Sequence, residues 1–159
     1  MPSMKYRPAL VAAAIGLVTS LTALPAAAQY RNADAAIKYR QSAMSLQGNH
    51  MGRLFAMIKG DVPFDAKVAS DNIETIAMLN RLQFAAFIEG SDKGNTRAKP
   101  EIWTDKDKFA ARVAKSQEDV LKLAAAGKTG NLEQIKTAAG TVGESCKASH
   151  DAYQKPQQP

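Results

Sequence analysis

Apolar residues recur at helical spacing in four separate stretches of this chain, and turn-forming residues separate the stretches. In the first, Ile37, Met44, Met51 and Ile58 repeat every seven residues, with Arg40, Ala43, Leu54 and Phe55 near the same stripe. That period predicts an amphipathic bundle helix from about Asn32 to Lys59, ended by Gly60-Asp61-Val62-Pro63. A second helix is predicted from about Asp65 to Ile88, with Val68, Ile73, Ile76, Leu79 and Phe84 facing inward. After a polar loop, Gly90 to Lys99, and the segment Pro100-Glu101-Ile102-Trp103, a third runs from about Thr104 to Ala126. Thr104 with Asp107 reads as a capping box, and Phe109, Val113, Val120 and Leu123 supply its apolar face. Gly127-Lys128-Thr129-Gly130 reads as a tight connection, and Asn131 caps a fourth helix that reaches about Tyr153. No alternating strand pattern and no internal repeat appears. The expected fold is all-α, an antiparallel up-down-up-down four-helix bundle with one longer loop.

The front of the chain follows a different pattern. Lys5 and Arg7 precede an apolar run from Ala9 to Leu24, and Pro25 leads into the small-residue site Ala26-Ala27-Ala28. This is the pattern of a secretory signal peptide over residues 1–28, cleaved before Gln29. The run is short for a membrane span of roughly 20 residues, so the expected product is exported, periplasmic and not membrane-bound. Residues 29–159 form one domain, with a disordered tail expected from about Lys155. Lys5 and Arg7 leave with the signal, so 19 basic residues face 15 acidic ones, a net +4. That charge is too mild and too scattered to point to nucleic acid, and suits a solvated surface or a weakly acidic partner.

The single cysteine changes the picture. Cys146-Lys147-Ala148-Ser149-His150 is the C-x-x-C-H pattern of c-type haem attachment with Ser149 at the second thiol position. A hydroxyl forms no thioether, so the segment can hold haem by one covalent bond, by ligation alone, or not at all. Ile135, Ala139, Val142, Cys146, Ser149, His150 and Tyr153 keep the rhythm of one helix face, which puts Cys146 and His150 a turn apart, about 6 Å along the axis. Gly140, Gly143 and Ala139 are expected to leave room for a flat ligand, since an interior helical glycine costs roughly 1 kcal/mol relative to alanine. His50 lies about 120° off the first helix's stripe and reads as an edge residue. Trp103 reads as an anchor of the loop on the core. Soft sulfur from Met44, Met51, Met57 and Cys146 is the weaker alternative of a copper site.

Three segments together resemble the class II cytochromes c, the cytochrome c′ family. Ala36-Ile37-Lys38-Tyr39-Arg40-Gln41 is similar to the family's A-x-K-Y-R-Q opening. Pro100-Glu101-Ile102-Trp103 matches its P-x-I-W segment, and Val142-Gly143 through Cys146-Lys147, His150-Asp151 and Tyr153 matches its V-G-x-x-C-K-x-C-H-x-x-Y ending. The resemblance spans essentially the whole mature domain. It implies haem, c-type through one thioether to Cys146 or non-covalent and b-type, with His150 as proximal iron ligand. It also implies Met44 at the distal iron position and Arg40 near a haem propionate. Two departures stand out: Ser149 at the second thioether position, and Gln154 where many members carry Arg, which predicts a less cationic proximal pocket.

The function expected from this is one-electron transfer in the periplasm, with small redox proteins as partners. A distal site left open by Met44 would be apolar, and the family then suggests nitric oxide or carbon monoxide binding instead. A haem-less bundle acting as a binding module is the competing class. Antiparallel homodimers through the first two helices are common in the family, and a homodimer is carried as an expectation. No hydrolytic triad, Walker loop or Rossmann fingerprint is present, so no enzyme is expected.

Overall fold

A computed structural model describes residues 29–156; the signal-peptide segment and residues 157–159 lie outside the described residues. The chain forms α1 (Ala33–Lys59), α2 (Ala66–Gln83) with a 3-10 turn at Phe84–Ala86, a short α3 (Glu101–Thr104), α4 (Lys106–Thr129) and α5 (Leu132–Tyr153). The four long helices make the bundle. Partner numbers fall along α2 and its 3-10 turn as they rise along α1, from Arg40–Ala86 to His50–Asn72, and the pair is therefore antiparallel.

Local chemistry sets most boundaries. The side chains of Asn32, Asp65 and Asn131 accept from the N–H groups of Ala35, Val68 and Gln134 at 2.8–3.0 Å, satisfying donors that a helix start leaves open. Gly60 and Gly130 close α1 and α4 in the left-handed region, where glycine carries no Cβ penalty.

Several boundaries differ from those predicted. The second helix stops at Gln83 rather than Ile88: the chain tightens into the 3-10 turn, Phe87 N–H donating to the Phe84 carbonyl at 3.3 Å, and the Arg40 guanidinium takes the free Ala86 carbonyl at 3.2 Å. The Thr104–Asp107 capping box does not form: Thr104 ends α3 with its hydroxyl on the Pro100 carbonyl, and Asp105 stands at the start of α4. Gly127 belongs to the last turn of α4 rather than to a loop. A Cβ there would lie 3.0 Å from Ile73 Cδ1, so its bare backbone is what lets α2 and α4 approach. Val68 is exposed and Ala69 is buried in its place, since Ala69, Ile73, Ile76 and Asn80 share the inward face. Lys155 is tied to the 90–99 loop: its N–H donates to the Arg97 carbonyl at 2.7 Å and its carbonyl accepts from Arg97 Nε at 2.9 Å. That pairing extends the antiparallel bridge between Ala98 and Gln154.

The aliphatic core occupies one end of the bundle. Leu54 and Met57, Ile73 and Ile76, Val120 and Leu123, and Ile135, Ala139 and Val142 interdigitate there, each large side chain contributing about 1.5–3 kcal/mol by burial. Polar residues replace them at the inward positions of the other end, and there the helices enclose a cavity.

Candidate functional site

The cavity measures about 360 Å³ and takes its walls from all four long helices and from the 90–99 loop. That size lies in the range of roughly 300–1,000 Å³ typical of small-molecule and cofactor sites. Helix α1 contributes Arg40, Met44, Gln47, Gly48 and Met51, which follow one stripe at three- and four-residue steps. Opposite them α5 contributes Cys146, Ser149, His150 and Tyr153. The four residues singled out in the sequence, Arg40, Met44, Cys146 and His150, therefore meet at one cavity, though more than a hundred positions separate the first from the last.

Aromatic side chains close the sides. Phe87 packs on Phe109 at 5.1 Å between centroids, Phe109 on Tyr153 at 5.2 Å, and Phe87 on Trp103 at 6.0 Å. Trp103 anchors the loop as expected, its indole N–H donating to the Ile88 carbonyl at 3.0 Å.

Arg40 is 2% exposed and fully engaged at its tip. Nη1 donates to the Ala86 carbonyl and, at 2.7 Å, to Ser91 Oγ; Nη2 donates to the Ser91 carbonyl at 2.6 Å and to Thr96 Oγ1 at 2.9 Å. Its guanidinium lies 4.6 Å from the Phe87 ring centre. Burial lowers its pKa to about 10, against an opposing pull from Asp92. With both terminal nitrogens occupied, Arg40 clamps the loop over the cavity, and only Nε is left to reach a carboxylate inside.

Cys146 is half-buried against the aliphatic core, and burial pushes its thiol pKa up, reinforced by the charge of Asp119. Asp119 is 1% exposed and pairs through Oδ1 with Lys115, while Oδ2 and the nearby Ser145 Oγ have no partner. Ser149 Oγ donates back to the Ser145 carbonyl at 2.9 Å. His150 is exposed along the cavity's open edge rather than on the core side.

Other expectations need correction. Gly140 is exposed, a Cβ on Gly143 would meet Phe55 Cζ at 3.5 Å, and neither lines the cavity; Gly48 on α1 does. Arg97 and Arg112 line it as well, so the pocket is not stripped of cations by Gln154. Met57 packs in the core away from the cavity, which separates the four sulfurs of the copper alternative. His50 is half-buried and joins α1 to α2 through Asn72 Oδ1 at 2.8 Å, outside the cavity. The cavity wall is largely apolar, as expected of an open distal site, with Gln47, Asn80, Gln83 and Ser116 as polar members of it. Periodicity flags them only as polar residues falling on inward stripes.

An antiparallel helical bundle with a thiol, a hydroxyl and an imidazole at C-x-x-S-H spacing on its cavity wall defines a bundle-type c cytochrome. The family model for cytochrome c′ matches residues 35–154, and this chain belongs to that family. Cytochrome c′ of Rubrivivax gelatinosus is 48% identical over 128 residues, 80% of this chain and 99% of that protein. Its crystal structure superposes with a TM-score of 0.78, covering 80% of this chain and all of that one. A ferrous variant of cytochrome c prime from Alcaligenes xylosoxidans with bound NO gives 0.76 at 41% identity over 80% of this chain and 99% of that one. A carbon monoxide-bound variant of the same protein gives the same values.

Membership implies a haem, and the residues present fit one. An imidazole and a thiol stand one helical turn apart on one wall, a thioether faces them from α1, and aromatic rings line the sides. Among the described residues no helix is long and apolar enough to cross a membrane.

Proposed function

We propose that this chain is a periplasmic one-electron carrier holding haem through His150 and a single thioether to Cys146. The observation that carries this is the convergence of Arg40, Met44, Cys146 and His150 on one cavity. When bound, haem iron supplies the redox couple, while the protein supplies ligands, burial and charge. His150 would hold the iron from the last turn of α5, and Cys146, a turn earlier, would anchor the group covalently to the same helix. Phe84, Phe87 and Phe109 keep water from the cavity's sides, and Arg97 and Arg112 supply positive charge for carboxylates.

Cys146 is expected to retain haem covalently after denaturing electrophoresis, read by haem staining. Complete extraction of haem into acidified organic solvent would show non-covalent binding, and Ser149→Cys should then restore retention.

Met44 decides between electron transfer and gas binding, and the NO- and CO-bound relatives favour weighing the second. Coordinated by Met44, the iron would carry a near-infrared thioether-to-ferric charge-transfer band that Met44→Leu abolishes, at a folding cost under about 1.5 kcal/mol. Identical spectra in both proteins would leave Met44 as packing and give the lead to carbon monoxide or nitric oxide binding.

Small periplasmic redox proteins are the partners this reading requires. A homodimer through α1 and α2 belongs to it as well, since Tyr39, Leu46, Val68, Met78 and Leu82 leave large apolar side chains exposed on those two helices. Sedimentation of the purified chain as a monomer at micromolar concentration would remove the dimer from the reading.

A further inference from the structure

The cavity wall carries two polar side chains that packing does not explain. Gln47 is 6% exposed and Gln83 4%, both line the cavity, and Oε1 of each is buried without a hydrogen-bond donor. Asn80, one turn before Gln83 on α2, also lines the cavity, 1% exposed, with its amide nitrogen donating to Ser116 Oγ at 3.0 Å. A buried amide oxygen left unpaired is destabilising, and native interiors hold few of them. Gln47 sits between Met44 and Met51 on the inward stripe of α1, where a third apolar side chain would pack at no such cost.

The amides are able to serve an occupant of the cavity. The last torsion of Gln is broad, so either Nε2 as donor or Oε1 as acceptor can be turned inward. Gln47 lies one turn from Met44, the residue at the distal iron position in the reading above.

We infer that Gln47, a turn from Met44, and Gln83 across the same cavity form a hydrogen-bonding subsite, selecting a small polar or anionic ligand of the water, hydroxide or halide class over a weakly polar diatomic. The inference rests on the haem reading, and its test keeps the two apart. The parent is the full chain carrying Met44→Ala, so that no thioether competes for iron. Its Soret band is recorded first. Fluoride is then titrated into the ferric protein and carbon monoxide into the ferrous protein, and the carbon monoxide stretching frequency is taken by infrared spectroscopy. Adding Gln47→Leu or Gln83→Leu should weaken fluoride about tenfold, the loss of one hydrogen bond to a charged ligand. Carbon monoxide affinity should stay within about threefold, because that ligand makes no comparable bond, while its stretching frequency moves as the amide dipole is lost. Leucine removes an unpaired buried amide, so both variants should fold, and each checks the other. A parent without a Soret band overturns the haem reading and the subsite with it. A Soret band with no fluoride binding, with unchanged fluoride affinity in both variants, or with fluoride and carbon monoxide weakening in parallel overturns the subsite alone.

Discussion

His150→Ala should leave a folded bundle that has lost its haem. The imidazole stands at the cavity edge on the last turn of α5, and no other histidine lines the cavity. Outer-shell partners of a metal ligand already change affinity about 10–100-fold, so loss of the ligand itself should lower retained haem by at least that factor. The measurement is the ratio of Soret to protein absorbance after purification, with circular dichroism as the folding check. His50→Ala is the matched control. It breaks the bond to Asn72, worth about 1 kcal/mol, and should leave haem content unchanged. A wild-type spectrum in His150→Ala would end the assignment of the proximal ligand.

The second large effect falls on stability. Arg40→Leu removes both terminal nitrogens of a guanidinium whose four N–H groups satisfy the Ala86 carbonyl, Ser91 Oγ, the Ser91 carbonyl and Thr96 Oγ1. Each buried acceptor left unpaired costs about 1–3 kcal/mol. The loop can relax and admit water, so the expected total is about 3–5 kcal/mol rather than the full sum. For a domain of this size that corresponds to a fall in Tm of roughly 10–20 °C. Arg40→Lys keeps the charge but not the planar fork that bridges separate acceptors, and should recover only part of the loss. The pH dependence is informative. The folded pKa of Arg40 is lowered to about 10, so folding disfavours the charged form and a gain in stability would appear only as pH rises through that value. Below it Arg40 is protonated both folded and unfolded, and the Arg40→Leu penalty should be the same at pH 6 and pH 8. Equal Tm values for wild type and Arg40→Leu would show that the clamp contributes nothing.

How much of this was legible in the sequence follows from which contacts are local. The stripe from Arg40 through Met44 to Met51, and the one from Cys146 through His150 to Tyr153, are read directly from helical spacing, and the structure brings them to one cavity. The polar members of those stripes were harder to read. Gln47 and Gln83 are residue types that solvated faces use freely, and only the closure of the bundle shows that they point inward. The clamp on the end of α2 had no local signal, because the group that takes the Ala86 carbonyl is 46 positions away. Gly140 and Gly143 looked like room for a ligand because spacing reports a face only approximately, and they fall off the cavity wall. His150 was placed on the core side by the same periodicity, yet the helix end leaves it exposed.

The bridge between Ala98 and Gln154 bears on when the site comes into being. Thr96, Arg97 and Ala98 on one side, and Tyr153 and Gln154 on the other, are all cavity-lining residues. The opposite wall is built by the first helix, so the enclosure joins segments that are far apart in the chain. Contacts of such long sequence separation close late in folding, after their loop entropy has been overcome. A chain emerging from its N-terminus would have α1 and α2 paired before residues 146–154 arrive, and the enclosure would not yet exist. Any occupant of the cavity therefore meets a complete enclosure only once the whole polypeptide is available.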